Sequence, residues 1–292
     1  MRSILRSTSV LLAAAAFLAV VPAPLVAQQA TPKPFNGTFN RAQPDPLNFD
    51  DHTGWTQIFN GKDLSEWDGP SDVWSYEDGA IVGKSSDEQP SGTTNILWKG
   101  GTPANFELRM EIKLDGLGAN GGVQYRSSRT PITKRTLTPE QQASMTPEQK
   151  ARFAKNQEML EKHAQWNLKG YQYDIDGNNR YSGQLYEQNT GRGIIAYRGQ
   201  VVKTEAGRKP TLLGTLGTTE ELGKFYKPGE WNQIEIIADG NTVTHILNGH
   251  VMSIFVDTDP AYLATKGVIA LEIEGSGTLK ISHRNIYLKP LP

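Results

Sequence analysis

Apolar residues recur at every second position along much of this chain. Phe106, Leu108, Met110, Ile112 and Leu114 alternate with Glu107, Arg109, Glu111 and Lys113, the period of a strand with one face on a core and the other in water. The stretch from Trp231 to Gly249 carries the same pattern twice. Ile234 and Ile236 precede a tight turn at Asp239, Gly240 and Asn241, and Val243 and Leu247 follow it. Gly and Asn supply the positive φ that a hairpin turn requires. His245 falls on the same face as Val243 and Leu247, so its ring stands either in a core or in a hollow lined by the sheet. Shorter runs such as WTQIFNG, VWSYEDGAIVG, TNILWKG, SGQLYEQ, GIIAYRGQVV and VMSIFVD read as further strands punctuated by Gly, Asp and Asn.

The period changes once, between Pro131 and Leu168. Thr138 and Thr146 each stand as an N-cap before a Pro at the first helical position, with Glu140 and Glu148 in the first turn. Phe153, Gln157, Leu160 and Ala164 recur at helical spacing, which predicts a helix from Thr146 to about Gln165 inside an insertion at about 132–167. Roughly a dozen strands, one helical insertion and no βαβ alternation predict an all-β fold: an antiparallel β-sandwich or jelly roll occupying residues 51–292. One sheet of a large sandwich is usually concave. Polar residues alternating along several of its strands would then converge in a groove.

Composition adds a location. Arg2 and Arg6, the apolar run Leu11 to Val21 and Leu25-Val26-Ala27 form the three parts of an export leader, predicting removal of residues 1–27 and a periplasmic or secreted bacterial protein. Residues 28–50, rich in Gln, Pro and Asn, read as a flexible segment. The apolar run is short for a bilayer span, so no membrane attachment is expected after cleavage. The chain has no cysteine, which excludes disulfides, thiolate metal sites and Cys nucleophiles. Loss of the two leader arginines takes the formal charge from -1 to -3, which argues against a nucleic-acid partner.

Candidate chemistry lies on the strands. Arg126, Asp174, His245, Glu272 and Glu274 are the charged or titratable groups that a groove would gather, with Asn120, Gln124, Gln172 and Tyr186 beside them as ligand contacts. The bland alternative is a solvated sheet face. Asp174, Asp176, Glu272 and Glu274 offer hard oxygens suited to a divalent cation such as Ca²⁺; no other cofactor is implied, and neither a DxDxDG loop nor an HExxH helix occurs. The glycine-rich GLGANGGVQYRS leads into a strand rather than a helix, so it is not a phosphate cradle. No GxSxG elbow is present.

WTQIFNGKDLSEWDG, VWSYEDGAIVG, FELRMEIKLDGLGANGGVQYRS, GNTVTHILNG and GVIALEIEG with SHRNIYLKPL occur in that order between Trp55 and Leu291. As a set they resemble the 3-keto-disaccharide hydrolase family, which is similar in fold to concanavalin A-like lectins and glucanases. The resemblance implies an enzyme cleaving 3-keto glycosides: abstraction of the C2 proton, stabilisation of an enolate, and departure of the C1 substituent by elimination or hydrolysis. The alternative is a noncatalytic lectin-like module that binds glycans in the same groove. Asn120 and Arg126 match the family's Asn-x-Gly...Arg block, and His245 with Asn248-Gly249 its His...Asn-Gly block. This implies His245 as base or acid and Arg126 as donor to the oxyanion or a sugar hydroxyl. The chain departs from the family in carrying Gln172 and Asp174 where Glu and Gln are common, and Glu272 and Glu274 where Gln and His are common. Asp174 and Glu272 are therefore expected to orient or recharge His245.

Overall fold

The computed structural model of the protein describes residues 48–292 apart from positions 117, 135 and 276. The expected leader and nearly all of the 28–50 segment lie outside the described residues. Where that segment enters the structure it is packed: the Asn48 carbonyl accepts from Arg109 Nη1 (3.1 Å), and Phe49 lies under the same guanidinium.

The described strands are β1 (Thr56–Gln57), β2 (Trp67–Asp68), β3 (Trp74–Glu77), β4 (Ala80–Ser85), β5 (Gly92–Trp98), β6 (Phe106–Asp115), β7 (Asn120–Arg129), β8 (Leu168–Asp176), β9 (Leu185–Gln188), β10 (Gly193–Ala196), β11 (Gln200–Glu205), β12 (Thr211–Thr215), β13 (Asn232–Asp239), β14 (Thr242–Leu247), β15 (His250–Thr258), β16 (Val268–Gly275) and β17 (Leu279–Pro290). The larger sheet runs β12-β11-β15-β14-β13-β6-β17-β4-β3, with β1 on β17; the smaller runs β10-β9-β8-β7-β16-β5-β2. Together they form the expected all-β sandwich. The pairing departs from a purely antiparallel one at a single described place, where β11 lies parallel to β15.

The alternation along β6 does what it predicts: Phe106, Leu108, Met110, Ile112 and Leu114 are buried between the sheets. Tyr125, Tyr171 and Tyr173 meet them from the smaller sheet, and Phe255 joins from the larger. This inner layer also takes His245, which is 0% exposed. Its Nδ1 faces the Gln184 carbonyl (3.2 Å) and its Nε2 faces the Tyr125 hydroxyl (2.7 Å). A carbonyl only accepts, so Nδ1 carries the proton and Nε2 accepts from the tyrosine. Burial of this neutral ring lowers its pKa to about 3.

The unfolded chain binds that proton more readily than the folded one. Stability from this residue is therefore complete above about pH 6.5 and is lost as pH falls toward 3. His245→Gln can keep both hydrogen bonds without titrating. Its thermal midpoint relative to the native protein should improve steadily between pH 7 and pH 4.5; a difference independent of pH would contradict this account of the ring.

A second buried network closes one end of the sandwich. Arg192 joins Glu187 through Nε and Nη2 (2.5 and 2.7 Å) and Asp257 through Nη2 (2.7 Å). Asp257 also accepts from the hydroxyls of Thr204 and Tyr171, each at 2.7 Å. Both carboxylates are inaccessible to water.

The insertion holds α1 (Pro139–Ser144) and α2 (Pro147–Lys162), each begun by a Thr–Gln capping box as the Thr-Pro-Glu-Gln repeats predict, and a short 3-10 turn at Ala164–Trp166. α2 buries no residue completely and is tied down by polar contacts instead. Lys155 reaches the carbonyls of Asp87 and Glu88, Lys162 and His163 both reach Asp72, and Trp166 Nε1 donates to Asp68. β12 and a third helix, α3 (Thr219–Gly223), lie between β11 and β13.

Candidate functional site

The outer face of the smaller sheet is polar across four strands. In β7, β8 and β16 the residues pointing away from the core are Asn120, Gly122 and Gln124; Gln172, Asp174 and Asp176; and Ala270, Glu272 and Glu274. β5 adds Thr93 and Asn95. Register aligns them in rows: Asp174, Gly122, Glu272 and Asn95 form one, and Tyr186, Gln172, Gln124 and Ala270 the next. Asp174 and Glu272 thus stand two strands apart, about 10 Å between Cα atoms at ordinary strand spacing. Gly122 between them has no side chain. A Cβ there would lie 2.5 Å from both the Gln172 amide nitrogen and the Tyr173 carbonyl, so glycine is what lets Gln172 fold across the floor.

Amide side chains hold the acids. Gln124 Nε2 donates to Gln172 (3.2 Å) and to Glu272 (3.3 Å), and Gln188 Nε2 reaches the other Glu272 oxygen at 3.5 Å. Gln184 Nε2 donates to Asp174 at 2.6 Å, and Asn120 Nδ2 to Glu274 at 2.8 Å. Each of these amides spends its N–H on a neighbour. The oxygens of Asn95, Asn120 and Gln184 remain buried without a donor. A face with several acceptors short of a donor suits a ligand rich in hydroxyls.

Burial raises Asp174, 7% exposed, to a pKa of about 7, with repulsion from Glu274 and Asp176 adding to it and the Gln184 hydrogen bond opposing it. Glu272, fully enclosed, is pushed far above the usual carboxylate range, first by burial and then by Glu274. Protein crowding also raises Glu274. That side chain remains open to solvent, which screens the effect, so Asp174 and Glu272 define the electrostatics. At neutral pH Asp174 sits near half-ionisation.

Of the residues singled out in the sequence, the sheet brings Asn120, Gln124, Gln172, Asp174, Tyr186, Glu272 and Glu274 together on this face. Two expectations fail. His245 is on the inner side of the sandwich, behind the sheet from Asp174 and Glu272, so neither carboxylate orients or recharges it. Arg126 is 2% exposed and leaves the polar face. The pairing of β7 with both neighbours slips around Tyr125 to Ser128, and Arg126 has a positive φ of 48°, a bulge that re-aims the side chain. Its guanidinium donates to the carbonyls of Ala104, Gly240 and Ala264 and to Asn105 Oδ1, cross-linking loops. Asn248, the other residue of the shared His...Asn-Gly block, is likewise architectural: it turns the chain at φ 46° and bonds Gln233, Phe225 and Asn232.

The Ca²⁺ set is not assembled either. Asp176 is bound to Arg180 Nε (2.8 Å) and to turn amides, and among the described residues no group of three or more His, Cys, Asp or Glu side chains is placed to hold a metal ion. Gln184, Gln188 and Asn95 also belong to this face and are missed by alternation alone: Gln184 precedes and Gln188 ends the four-residue β9, and Asn95 sits within β5.

A β-sandwich presenting an amide- and acid-lined sheet face is an architecture suited to carbohydrate. The model of the 3-keto-alpha-glucoside-1,2-lyase-like domain matches residues 54–289, and the chain belongs to that family. Family membership makes this a glycosyl hydrolase-like or carbohydrate-binding fold. No curated protein matches the chain. Among solved structures it is similar to a candidate glycosyl hydrolase from Parabacteroides distasonis, at 21% identity and a TM-score of 0.46, over 81% of this chain and 99% of that one. It is also similar to a Bacillus subtilis protein of unknown function with a galectin-like fold, at 12% identity and a TM-score of 0.48, over 80% and 94% of the two chains. A carbohydrate-binding module from Bacillus subtilis follows at 13% identity and a TM-score of 0.40, over 81% and 95%. Among the described residues no helix is long and apolar enough to cross a membrane.

Proposed function

We propose that the polar face of the smaller sheet binds a 3-keto glycoside and that Asp174 begins its cleavage by removing the C2 proton. The observation that carries this reading is the placement of Asp174, Glu272 and Glu274 on one face with the acidity of Asp174 brought to near neutrality by burial. A general base works best when its pKa is close to the working pH, and an ordinary solvated aspartate lies some three units too low.

The chemistry follows from the keto group. Loss of the C2 proton to Asp174 leaves a carbanion delocalised onto the C3 oxygen. The electron pair then forms a C1=C2 double bond, the C3 carbonyl is restored, and the C1–O bond breaks. The leaving oxygen takes a proton from solvent at the open side of the face, beside Glu274. The products are an enone and the free alcohol, an elimination across C1 and C2 in keeping with the family's 1,2-lyase-like description; water adding to the enone would complete a net hydrolysis. Gln172, whose oxygen is held by Gln124, offers its NH₂ to the enolate oxygen, the role that Arg126 is too deeply engaged to fill. Glu272 anchors Gln124 and Gln188. The expected leader would carry this activity to the periplasm or outside the cell.

The test is to offer purified protein matched 3-keto and ordinary disaccharides and to follow reducing sugar and enone absorbance. Turnover of the keto sugars alone is expected. Retention of glycans without turnover would instead establish the lectin-like alternative, and turnover of ordinary disaccharides would contradict the C2 route.

A further inference from the structure

Helix α2 is not explained by the core. It packs along β5 yet buries no residue completely, and its half-buried Phe153, Asn156 and Leu160 face a cavity of about 300 Å³. The opposite wall of that cavity is Thr93 and Glu274, so the helix and the polar face share one space. Gly92 allows the close approach: a Cβ there would stand 3.2 Å from the Cβ of Met159. Asn156 Oδ1 is buried in this region without a hydrogen-bond partner. Lys155 on the loop carbonyls of Asp87 and Glu88, and Lys162 and His163 on Asp72, pin the helix from its middle to its C-terminal end. The contacts describe a fixed wall.

We propose that α2 supplies a second ring subsite beside Glu274, for the leaving-group sugar of a disaccharide. This deepens the reading of the polar face as a glycoside site and rests on it. Phe153 and Leu160 cover the apolar C–H face of the departing ring, and Asn156 Oδ1 accepts from one of its hydroxyls. The volume is at the small end of ligand sites, room for one ring rather than a chain. Glu274, lying between the sheet and the helix, is placed at the oxygen that joins the two sugars.

The experiment is a calorimetric titration in an Asp174→Asn background, which slows turnover, using 3-keto-trehalose and methyl 3-keto-α-glucoside. Phe153→Ala and Asn156→Ala should each weaken the disaccharide by about tenfold, the effect of one lost pocket contact, and leave the methyl glycoside unchanged. Arg152→Ala, on the exposed side of the same helix, should change neither, and thermal melts confirm that all variants fold. Equal losses for both ligands, or no loss for either, would overturn the subsite even if wild-type protein cleaves keto sugars. A wild type that binds the disaccharide selectively through α2 but never cleaves it would remove the catalytic reading and leave the subsite standing. Failure to bind either ligand would remove both.

Discussion

Asp174→Asn is expected to lower kcat/KM for a 3-keto glycoside by about 10²–10⁴-fold, the usual contribution of a positioned general base, while making the folded protein more stable at alkaline pH. The two effects have one origin. Burial raises the folded-state pKa of Asp174 from 3.8 to about 7, so its contribution to stability is complete below about pH 4 and is lost as pH rises through 7. Asn has nearly the same shape, carries no proton equilibrium, and still accepts from Gln184 through Oδ1. Thermal midpoints of variant and native protein should coincide near pH 4 and diverge in favour of the variant by pH 8. Loss of activity accompanied by lower stability at pH 8 would mean that Asp174 is a structural residue.

Arg192→Met should be the most damaging single change to the fold, at about 3–5 kcal/mol, because it strands Glu187 and Asp257 as buried charges without a partner. Both carboxylates are enclosed, and the hydroxyls of Thr204 and Tyr171 at Asp257 cannot neutralise them. Urea unfolding at pH 7 measures the loss. A cost below about 1 kcal/mol, the range of a surface pair, would show that water reaches the network.

The sandwich was readable because its strands obey a two-residue period. β6 announces an inner and an outer face residue by residue, and the same period places Asp174 with Gln172 and Glu272 with Glu274. Periodicity assigns residues to a face but does not say which face lies against the core. His245 shows the cost: its alternation with Val243 and Leu247 is correct, and the face they share is the interior. Arg126 fails for a different reason, since a bulge is a local register slip that leaves no mark in alternation. The blocks shared with the family around Arg126 and Asn248 prove to be loop ties and a turn. The acids of the polar face stand at the positions where this chain departs from the common pattern. The insertion's caps were plain in the Thr-Pro-Glu-Gln repeats, whereas its wall at Glu274 depends on contacts between segments more than 100 residues apart.

The measurement that bears most directly on this account is the pH dependence of kcat/KM for a 3-keto glycoside, in native protein and in Asp174→Asn. The native profile should rise with pH through an ionisation near 7, where Asp174 loses its proton, and the small residual activity of the variant should lack that limb. The same limb persisting after the substitution would assign the base to another group and contradict the role given to this sheet face.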